Sequence, residues 1–106
     1  MSRKYVPHSK HGGAGGARGV KGSAMDLSDS EAQGLLNDGA HCFEEPGKRQ
    51  FVGVKGGKFY VYQDDNAGGF HGYRVSGAEV CGKYPGAAKR IGELLKVDFK
   101  RLQKMG

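Results

Sequence analysis

Residues 49–75 decide the fold, and they read RQFVGVKGGKFYVYQDDNAGGFHGYRV. Three runs rich in aromatic and β-branched residues, at 49–54, 58–63 and 70–75, are separated by a glycine turn at 55–57 and a loop of turn-forming residues at 64–69. Aromatic and β-branched residues favour strands, and short connections make consecutive strands antiparallel neighbours. We therefore expect an antiparallel sheet built on these three strands.

The sequence on either side of the strands predicts helices. Ser28-Asp-Ser-Glu31 has the pattern of a capping box, and apolar residues then follow at helical spacing up to Gly39. This pattern favours a helix over 29–38 with an acidic outer face. Residues 87–95 again have helical spacing, and residues 97–102 are either a further strand or an extension of that helix. The predicted fold class is α+β, with an N-terminal helix, a small antiparallel β-sheet with one open face, and a C-terminal helix.

Glycine is concentrated before the predicted domain. Of the 20 glycines among 106 residues, six lie between residues 12 and 22, and the first 24 residues carry five basic side chains and no acidic one. Such a segment cannot bury enough apolar surface to offset the entropy of ordering it. We interpret residues 1–24 as a flexible basic arm or linker and residues 25–106 as the folded domain. Only three prolines accompany the glycines, which have no three-residue period, so collagen is excluded.

Charge and composition narrow the function classes. Seventeen Lys and Arg against eleven Asp and Glu give a net charge of +6, which favours a negatively charged partner such as nucleic acid. No apolar stretch is long enough to span a bilayer, so we expect no membrane insertion by this domain. The N-terminus lacks the apolar run of a signal peptide, so export signals would have to lie elsewhere. The chain also lacks the sequence motifs of zinc, Walker-type and dinucleotide sites, so we expect no metal and no cofactor.

The two cysteines, Cys42 and Cys81, are too few for a disulfide scaffold or a four-ligand zinc site, and we expect them to be buried. Two weaker alternatives involve one of them. His8, His11, His41 and Cys42 would form a metal site only if distant segments met. His41 and Cys42 would form a nucleophile and base, for which the sequence offers no third partner.

The register of the second hairpin decides which side chains share a face of the sheet. If the loop 64–69 leaves Gln63 opposite Phe70, alternate residues of the two strands project to the same side. The polar face then carries Lys58, Tyr60, Tyr62, His71 and Tyr73. The opposite face, the expected core, carries Phe59, Val61, Phe70 and Gly72, with Gln63 and Arg74 towards the ends. The length of the glycine turn, two residues or three, decides whether the first strand adds Phe51 and Gly53 or Gln50, Val52 and Val54 to the polar face.

The predicted polar face suits RNA. Aromatic rings stack on bases, and cations neutralise phosphates. A histidine transfers protons at neutral pH, and RNA is cleaved without metal when a base removes the 2′-hydroxyl proton and an acid protonates the leaving 5′-oxygen. The candidate catalytic residues are His71, Tyr73, Lys58 and Tyr60. The candidate substrate-binding residues are Tyr62, Arg74 and Gln63, together with His8 and His11 if the basic arm folds over the sheet. The alternative is that the tyrosines only pair across strands and that His71 is a surface histidine.

The hairpin and its lead-in also carry a family pattern. It consists of Tyr60-Val-Tyr-Gln63, Asp65-Asn66 and Gly68-Gly-Phe-His-Gly-Tyr73, preceded by Pro7-His-Ser-Lys-His-Gly-Gly13 and Met25-Asp-Leu-Ser-Asp-Ser-Glu-Ala32. In these stretches the chain resembles the C-terminal toxin domains of bacterial polymorphic toxins, of the contact-dependent growth inhibition and Rhs types. Many such domains have the barnase–EndoU–colicin–RelE ribonuclease fold, in which helices precede an antiparallel sheet with active groups on its open face.

The resemblance implies a metal-independent endoribonuclease that attacks tRNA or rRNA in the cytoplasm of a competing bacterium. It implies delivery as the tip of a larger secreted or cell-surface protein and neutralisation by a cognate immunity protein, which we expect to be acidic. His71 is the residue that it carries over as catalytic, whereas Phe70 and Arg74 stand where the family often has Trp and Pro. Three alternatives stay open: a non-catalytic nucleic-acid-binding module, a toxin of another chemistry such as ADP-ribosyl transfer, and a metal-dependent nuclease, which a chelator would inhibit.

Overall fold

Four antiparallel strands form one sheet in the order in which they occur along the chain. They are β1 (Cys42–Glu44), β2 (Gln50–Lys55), β3 (Lys58–Asp64) and β4 (Phe70–Val75). Helix α1 (Asp29–Leu36) precedes the sheet, and α2 (Gly77–Lys83), α3 (Pro85–Leu95) and α4 (Phe99–Leu102) follow it. The structure is a computed structural model, and it describes residues 3–7 and 25–106. The predicted α+β class is confirmed.

Helix α1 begins at the predicted capping box. The Ser28 hydroxyl accepts from the Glu31 backbone N–H at 3.2 Å, and the Glu31 carboxylate accepts from the Ser28 N–H at 3.0 Å. The helix ends at Leu36, two residues earlier than predicted, where Asn37 forms the C-cap. Two elements were missed by the sequence interpretation: the three-residue strand β1, and helix α2, which begins after Ser76.

The connection between β2 and β3 is a two-residue glycine turn. Gly56 and Gly57 both have positive φ, at 59° and 76°, and Lys55 pairs directly with Lys58. Glycine adopts this backbone without steric cost, and two-residue turns of this kind match the twist of a hairpin. The turn length left open by the sequence is therefore two, which places Phe51 and Gly53 on the same side as Tyr62 and Tyr60.

The predicted register of the β3–β4 hairpin is wrong by one residue. Gln63 pairs with His71 rather than with Phe70, because the loop has five residues, 65–69, instead of six. The carboxylate of Asp65 closes this shorter loop by accepting from the backbone N–H groups of Ala67 and Gly69 at 2.8 and 3.0 Å. Since side chains alternate along a strand, the one-residue shift moves every side chain of β4 to the face opposite the one predicted.

The corrected register gives the sheet two different faces, and helices pack on both. The α1 face carries Tyr60, Tyr62, Phe70, Gly72 and Arg74, and its buried cluster consists of Tyr5, Ala32, Leu35, Leu36, Cys42, Tyr60 and Tyr62. The α2–α4 face carries Phe59, Val61, Gln63, His71, Tyr73 and Val75, and its apolar part packs against Val80, Ala88, Ile91 and Leu102. In the described part of the chain, the open part of the α2–α4 face lies at the end nearest the loop 65–69, where Gln50, Gln63, His71 and Tyr73 are half-buried.

Residues 3–7 lie against the edge of the sheet beside β4. Backbone hydrogen bonds of 2.8 Å run from Val6 N–H to the Phe70 carbonyl and from Phe70 N–H to the Lys4 carbonyl. Tyr5, between these two contacts, is buried. The folded unit therefore includes residues that we assigned to the basic arm.

The C-terminal tail forms a separate short helix. Helix α3 ends at Leu95, and its C-cap Lys96 has a left-handed backbone with φ of 60°. The Asp98 carboxylate then caps α4 by accepting from the Arg101 N–H at 2.8 Å. The tail is thus neither a strand nor a continuation of α3. No helix within residues 3–7 and 25–106 has the length and apolar character needed to cross a membrane.

Candidate active site

Three polar side chains form a row across the open end of the α2–α4 face. Gln50 in β2 pairs with Gln63 in β3, and Gln63 pairs with His71 in β4. The next positions inward are occupied by Val52, Val61 and Tyr73, where the apolar cluster begins. The polar row therefore lies where the hydrophobic core of this face gives way to solvent.

His71 forms a hydrogen bond with the N-terminal segment. Its Nδ1 lies 3.2 Å from the Val6 carbonyl oxygen, and its Nε2 lies 4.0 Å from Asp65 Oδ2. A carbonyl oxygen only accepts, so the contact with Val6 requires a hydrogen on Nδ1, and in the neutral ring the lone pair is then on Nε2. The side chain is 31 % exposed, which leaves the imidazole accessible to a substrate from one side.

Asp65 supplies a fixed negative charge beside His71. Hydrogen bonds from the backbone N–H groups of Ala67 and Gly69 lower the pKa of the Asp65 carboxyl, and the nearby His71 lowers it further. The carboxylate is therefore ionised at neutral pH. It lies 4.0 Å from His71 Nε2.

Tyr73 places a hydroxyl group two positions from His71 on the same face, roughly 7 Å along the strand. The hydroxyl accepts from Gln63 Nε2 at 2.8 Å. Burial, and then the hydrogen bond with Tyr84, raise the pKa of Tyr73 well above its usual value. Tyr73 therefore keeps its proton at neutral pH and can donate it to an oxygen.

Two further polar residues lie at this end: the sequence interpretation missed Lys48, and it left open whether Gln50 shares a face with His71. Lys48, in the turn before β2, has its Nζ 4.9 Å from the centre of the Tyr84 ring, and it donates to the Lys83 carbonyl at 2.8 Å. Gln50 has a buried Oε1, to which no donor among the described residues forms a hydrogen bond. The sequence places Lys48 just before β2. The side of the sheet on which Lys48 lies depends on the turn before β2 and on helix α2, neither of which the sequence interpretation predicted.

The other predicted catalytic groups lie on the opposite face. Tyr60 donates to Asp26 Oδ1 at 2.6 Å, and Arg74 Nη1 donates to Asp26 Oδ2 at 3.0 Å. Burial and the Asp26 carboxylate raise the pKa of Tyr60 to about 12. Lys58 shares the α1 face with this cluster, so the predicted grouping of Lys58 and Tyr60 with His71 and Tyr73 is wrong.

Tyr62, a predicted substrate-binding residue, is fully buried under α1. Its hydroxyl donates to the Ala32 carbonyl at 2.9 Å, and its ring packs edge-to-face against Tyr5 with 6.1 Å between the ring centres. Arg74, which we expected on the face opposite the tyrosines, lies on the α1 face with them. Of the predicted binding residues in the described part of the chain, only Gln63 lies beside His71.

The structure also bears on the two weaker alternatives, a Cys42 nucleophile and a metal site. Both cysteines are buried and free, as predicted, and burial raises the pKa of Cys42 to about 12, so its thiol does not ionise as a nucleophile needs to. His41 instead contacts Asp38 Oδ2 at 2.9 Å. No group of three potential metal ligands occurs among residues 3–7 and 25–106. His8 and His11 lie outside the described residues, so their roles stay predictions.

The chain matches no protein-family model, and neither the curated proteins nor the solved structures include a significant match to it. The resemblance to polymorphic toxin domains therefore stays a prediction from the sequence.

Proposed function

We propose that this protein is a metal-independent endoribonuclease whose active site is the polar end of the α2–α4 face. One observation carries the proposal: His71, Gln63 and Tyr73 lie together at the half-open end of a sheet, beside a fixed carboxylate. A proton-accepting imidazole next to a protonated hydroxyl is the pair of groups that metal-free RNA cleavage needs. The net charge of +6 attracts a polyanionic substrate.

The proposed mechanism gives each group one step. His71 Nε2 takes the proton of the 2′-hydroxyl, the 2′-oxygen attacks phosphorus, and the bond between phosphorus and the 5′-oxygen breaks. Tyr73 protonates the departing 5′-oxygen, which is a stronger base than a phenolate, and recovers a proton from the His71 imidazolium through water. The products are a 2′,3′-cyclic phosphate and a 5′-hydroxyl, with no net proton consumed.

The neighbouring residues support these two groups. Gln63 orients the Tyr73 hydroxyl through its hydrogen bond, and Val6 fixes the His71 ring. Lys48 brings positive charge to the Tyr84 side of the site, where it can stabilise the charge that develops on the phosphate oxygens.

The matched histidine variants His71→Ala and His41→Ala test the proposal. Total bacterial RNA is incubated with each folded protein in excess EDTA, and the rate of cleavage is measured. Because positioned acid–base groups contribute roughly 100-fold or more, His71→Ala should lower kcat by at least that factor. His41→Ala should cleave at the wild-type rate, since the exposed His41 side chain contacts Asp38 beside the start of β1, at the end of the sheet away from the polar row.

Two results would overturn the ribonuclease proposal. One is a folded wild-type protein that leaves tRNA and rRNA intact, and salt-dependent RNA binding in the same samples would then favour the non-catalytic binding module. The other is equal cleavage by wild type and His71→Ala, which would place the chemistry elsewhere.

The resemblance found in the sequence suggests the biological setting of this activity. We propose that the domain is the delivered tip of a larger secreted or cell-surface protein, acts on tRNA or rRNA in the cytoplasm of a target bacterium, and is neutralised by an acidic immunity protein. Cytoplasmic expression in a bacterium should stop growth for the wild type and not for His71→Ala. Normal growth with active, soluble wild-type enzyme would contradict this setting without touching the chemistry.

A further inference from the structure

A groove of about 270 Å³ runs between α3 and α4, on a surface formed by residues outside the proposed active site. Ala88 and Gly92 of α3 form one wall, and Val97 and Leu102 form the other. The left-handed turn at Lys96 creates the groove, because it ends α3 and directs the chain back along the helix as α4. The interior of the groove is aliphatic, so it suits an apolar side chain.

The mouth of the groove carries an exposed aromatic ring. Phe99 is 44 % exposed, and it is one of two large apolar side chains exposed in the described part of the chain, with Leu94. Covering such a ring removes apolar surface from water, which is favourable, so a partner that covers it gains affinity. An exposed aromatic at the edge of an apolar groove has the composition of a small binding site.

The rim of the groove is basic. Lys89 and Lys96 line it, and the exposed side chains that follow on α4 and the tail add Lys100, Arg101 and Lys104. Two acidic residues, Glu93 and Asp98, oppose them, and Asp98 is engaged in capping α4. The charge complement of this surface is therefore an acidic partner.

We propose that the groove between α3 and α4 docks an acidic protein segment that inserts one apolar side chain beside Phe99. An RNA strand would be attracted by the lysines, but the narrow aliphatic interior takes a side chain and offers little to the polar edges of a base. The surface is separate from the polar row, so this docking does not depend on the ribonuclease proposal.

The experiment measures binding of a defined probe to the full chain by fluorescence anisotropy. The probe is a synthetic helical peptide of roughly 15 residues with Leu along one stripe and Glu elsewhere. Two control peptides keep the same length, one with the Leu residues changed to Gln and one with the Glu residues changed to Gln. We expect saturable binding of the probe and at least about tenfold weaker binding of each control.

Protein variants test where the probe binds. Phe99→Ser removes the ring, and Lys89→Glu reverses a rim charge without touching the core, so it keeps the test valid if Phe99→Ser is poorly folded. Each should weaken binding by about tenfold. Lys55→Glu makes the same charge change at the β2–β3 turn and should leave the dissociation constant within about twofold of the wild-type value.

Four outcomes would overturn the proposal. The first is that the probe shows no saturable binding up to about 1 mM, and the second is that the acidic peptide in which Gln replaces Leu binds as tightly as the probe. The third is that Lys55→Glu and Lys89→Glu lose the same affinity. The fourth is that RNA displaces the probe and itself binds more weakly to Phe99→Ser than to the wild type. The last result would make the groove an RNA surface instead.

Discussion

Two tyrosines on adjacent strands, Tyr60 and Tyr73, differ in role because their hydroxyl groups have different neighbours. Tyr60 and Tyr73 are both buried enough to have a raised pKa, so both keep their protons at neutral pH. The Tyr60 hydroxyl donates a hydrogen bond to the Asp26 carboxylate on the α1 face, whereas the Tyr73 hydroxyl accepts one from Gln63 at the open end of the other face. The first arrangement stabilises the fold, and the second leaves a hydroxyl beside the proposed catalytic imidazole.

The matched variants Tyr73→Phe and Tyr60→Phe should therefore affect different properties, the first the rate of RNA cleavage and the second the stability of the fold. Tyr73→Phe removes the proposed general acid, so its kcat should fall by roughly 100-fold or more. Tyr60→Phe keeps its kcat and loses about 2 kcal/mol of unfolding free energy, because its hydroxyl bonds to a carboxylate. RNA cleavage rates and urea unfolding of both variants provide the test, and a loss of kcat in Tyr60→Phe alone would contradict the assignment of faces.

Asp26 predicts how stability depends on pH. Partial burial opposes ionisation of this carboxyl, but hydrogen bonds from Tyr60 and Arg74 and the charges of Arg74 and Lys58 outweigh it and lower its pKa below the ordinary 3.8. A lowered pKa stabilises the fold above pH 3.8, and this stabilisation is lost as the pH falls through the lower folded value.

Urea unfolding between pH 7 and pH 2 should therefore show a smaller acid-induced loss of unfolding free energy in Asp26→Asn than in the wild type. Some loss remains in the variant, because Asp38 and Asp65 also have a lowered pKa. Parallel curves for the two proteins would show that Asp26 does not contribute to the acid transition.

At the scale of elements, local patterns predict most of the helices and strands, while the register depends on loop closure. The capping box at Ser28 and the glycine turn at 56–57 are local hydrogen-bonding and backbone features, and both were readable from the sequence. The register of β4 depends on how the loop 65–69 closes, and in the structure the carboxylates of Asp64 and Asp65 both accept backbone N–H groups of this loop. The five-residue loop places His71 and Tyr73 on the face of Gln63.

The proposed site was predictable to the extent that it depends on one strand. His71 and Tyr73 share a face in any register, because they are two residues apart. The positions of Tyr60 and Gln63 relative to them required the β3–β4 register. The face of Gln50 required the length of the β2–β3 turn, and the place of Lys48 required the turn before β2. Strand β1 was missed because three residues are too few to show alternation.

Lys96 offers a stability prediction for the C-terminal helices. Its left-handed backbone disfavours residues with a Cβ by roughly 1 kcal/mol, whereas glycine adopts it freely. Lys96→Gly should therefore raise the unfolding free energy by about 0.5–1 kcal/mol in urea titrations. Lys89→Gly, in the interior of α3, is the control and should lower the unfolding free energy by about the same amount. A destabilised Lys96→Gly would mean that the α3–α4 turn does not have this backbone.

At the scale of the whole molecule, both faces of the sheet are covered, and the proposed chemistry is confined to one end. Residues 3–7 contribute to that end through the Val6 carbonyl, although some twenty residues of sequence separate them from α1. Composition alone placed them in a basic arm, because a short segment that becomes buried only through distant contacts has no local pattern of its own. The proposed site therefore combines residues 3–7 with the β3–β4 hairpin and is not formed by the hairpin alone.

The chemistry of the RNA ends tests the central claim most directly. Wild-type protein and His71→Ala are incubated with total tRNA in EDTA, and the fragments are mapped and their termini identified. The account predicts fragments with 2′,3′-cyclic phosphate and 5′-hydroxyl ends from the wild type and almost none from His71→Ala. Fragments with 5′-phosphate ends, or cleavage that EDTA abolishes, would contradict it.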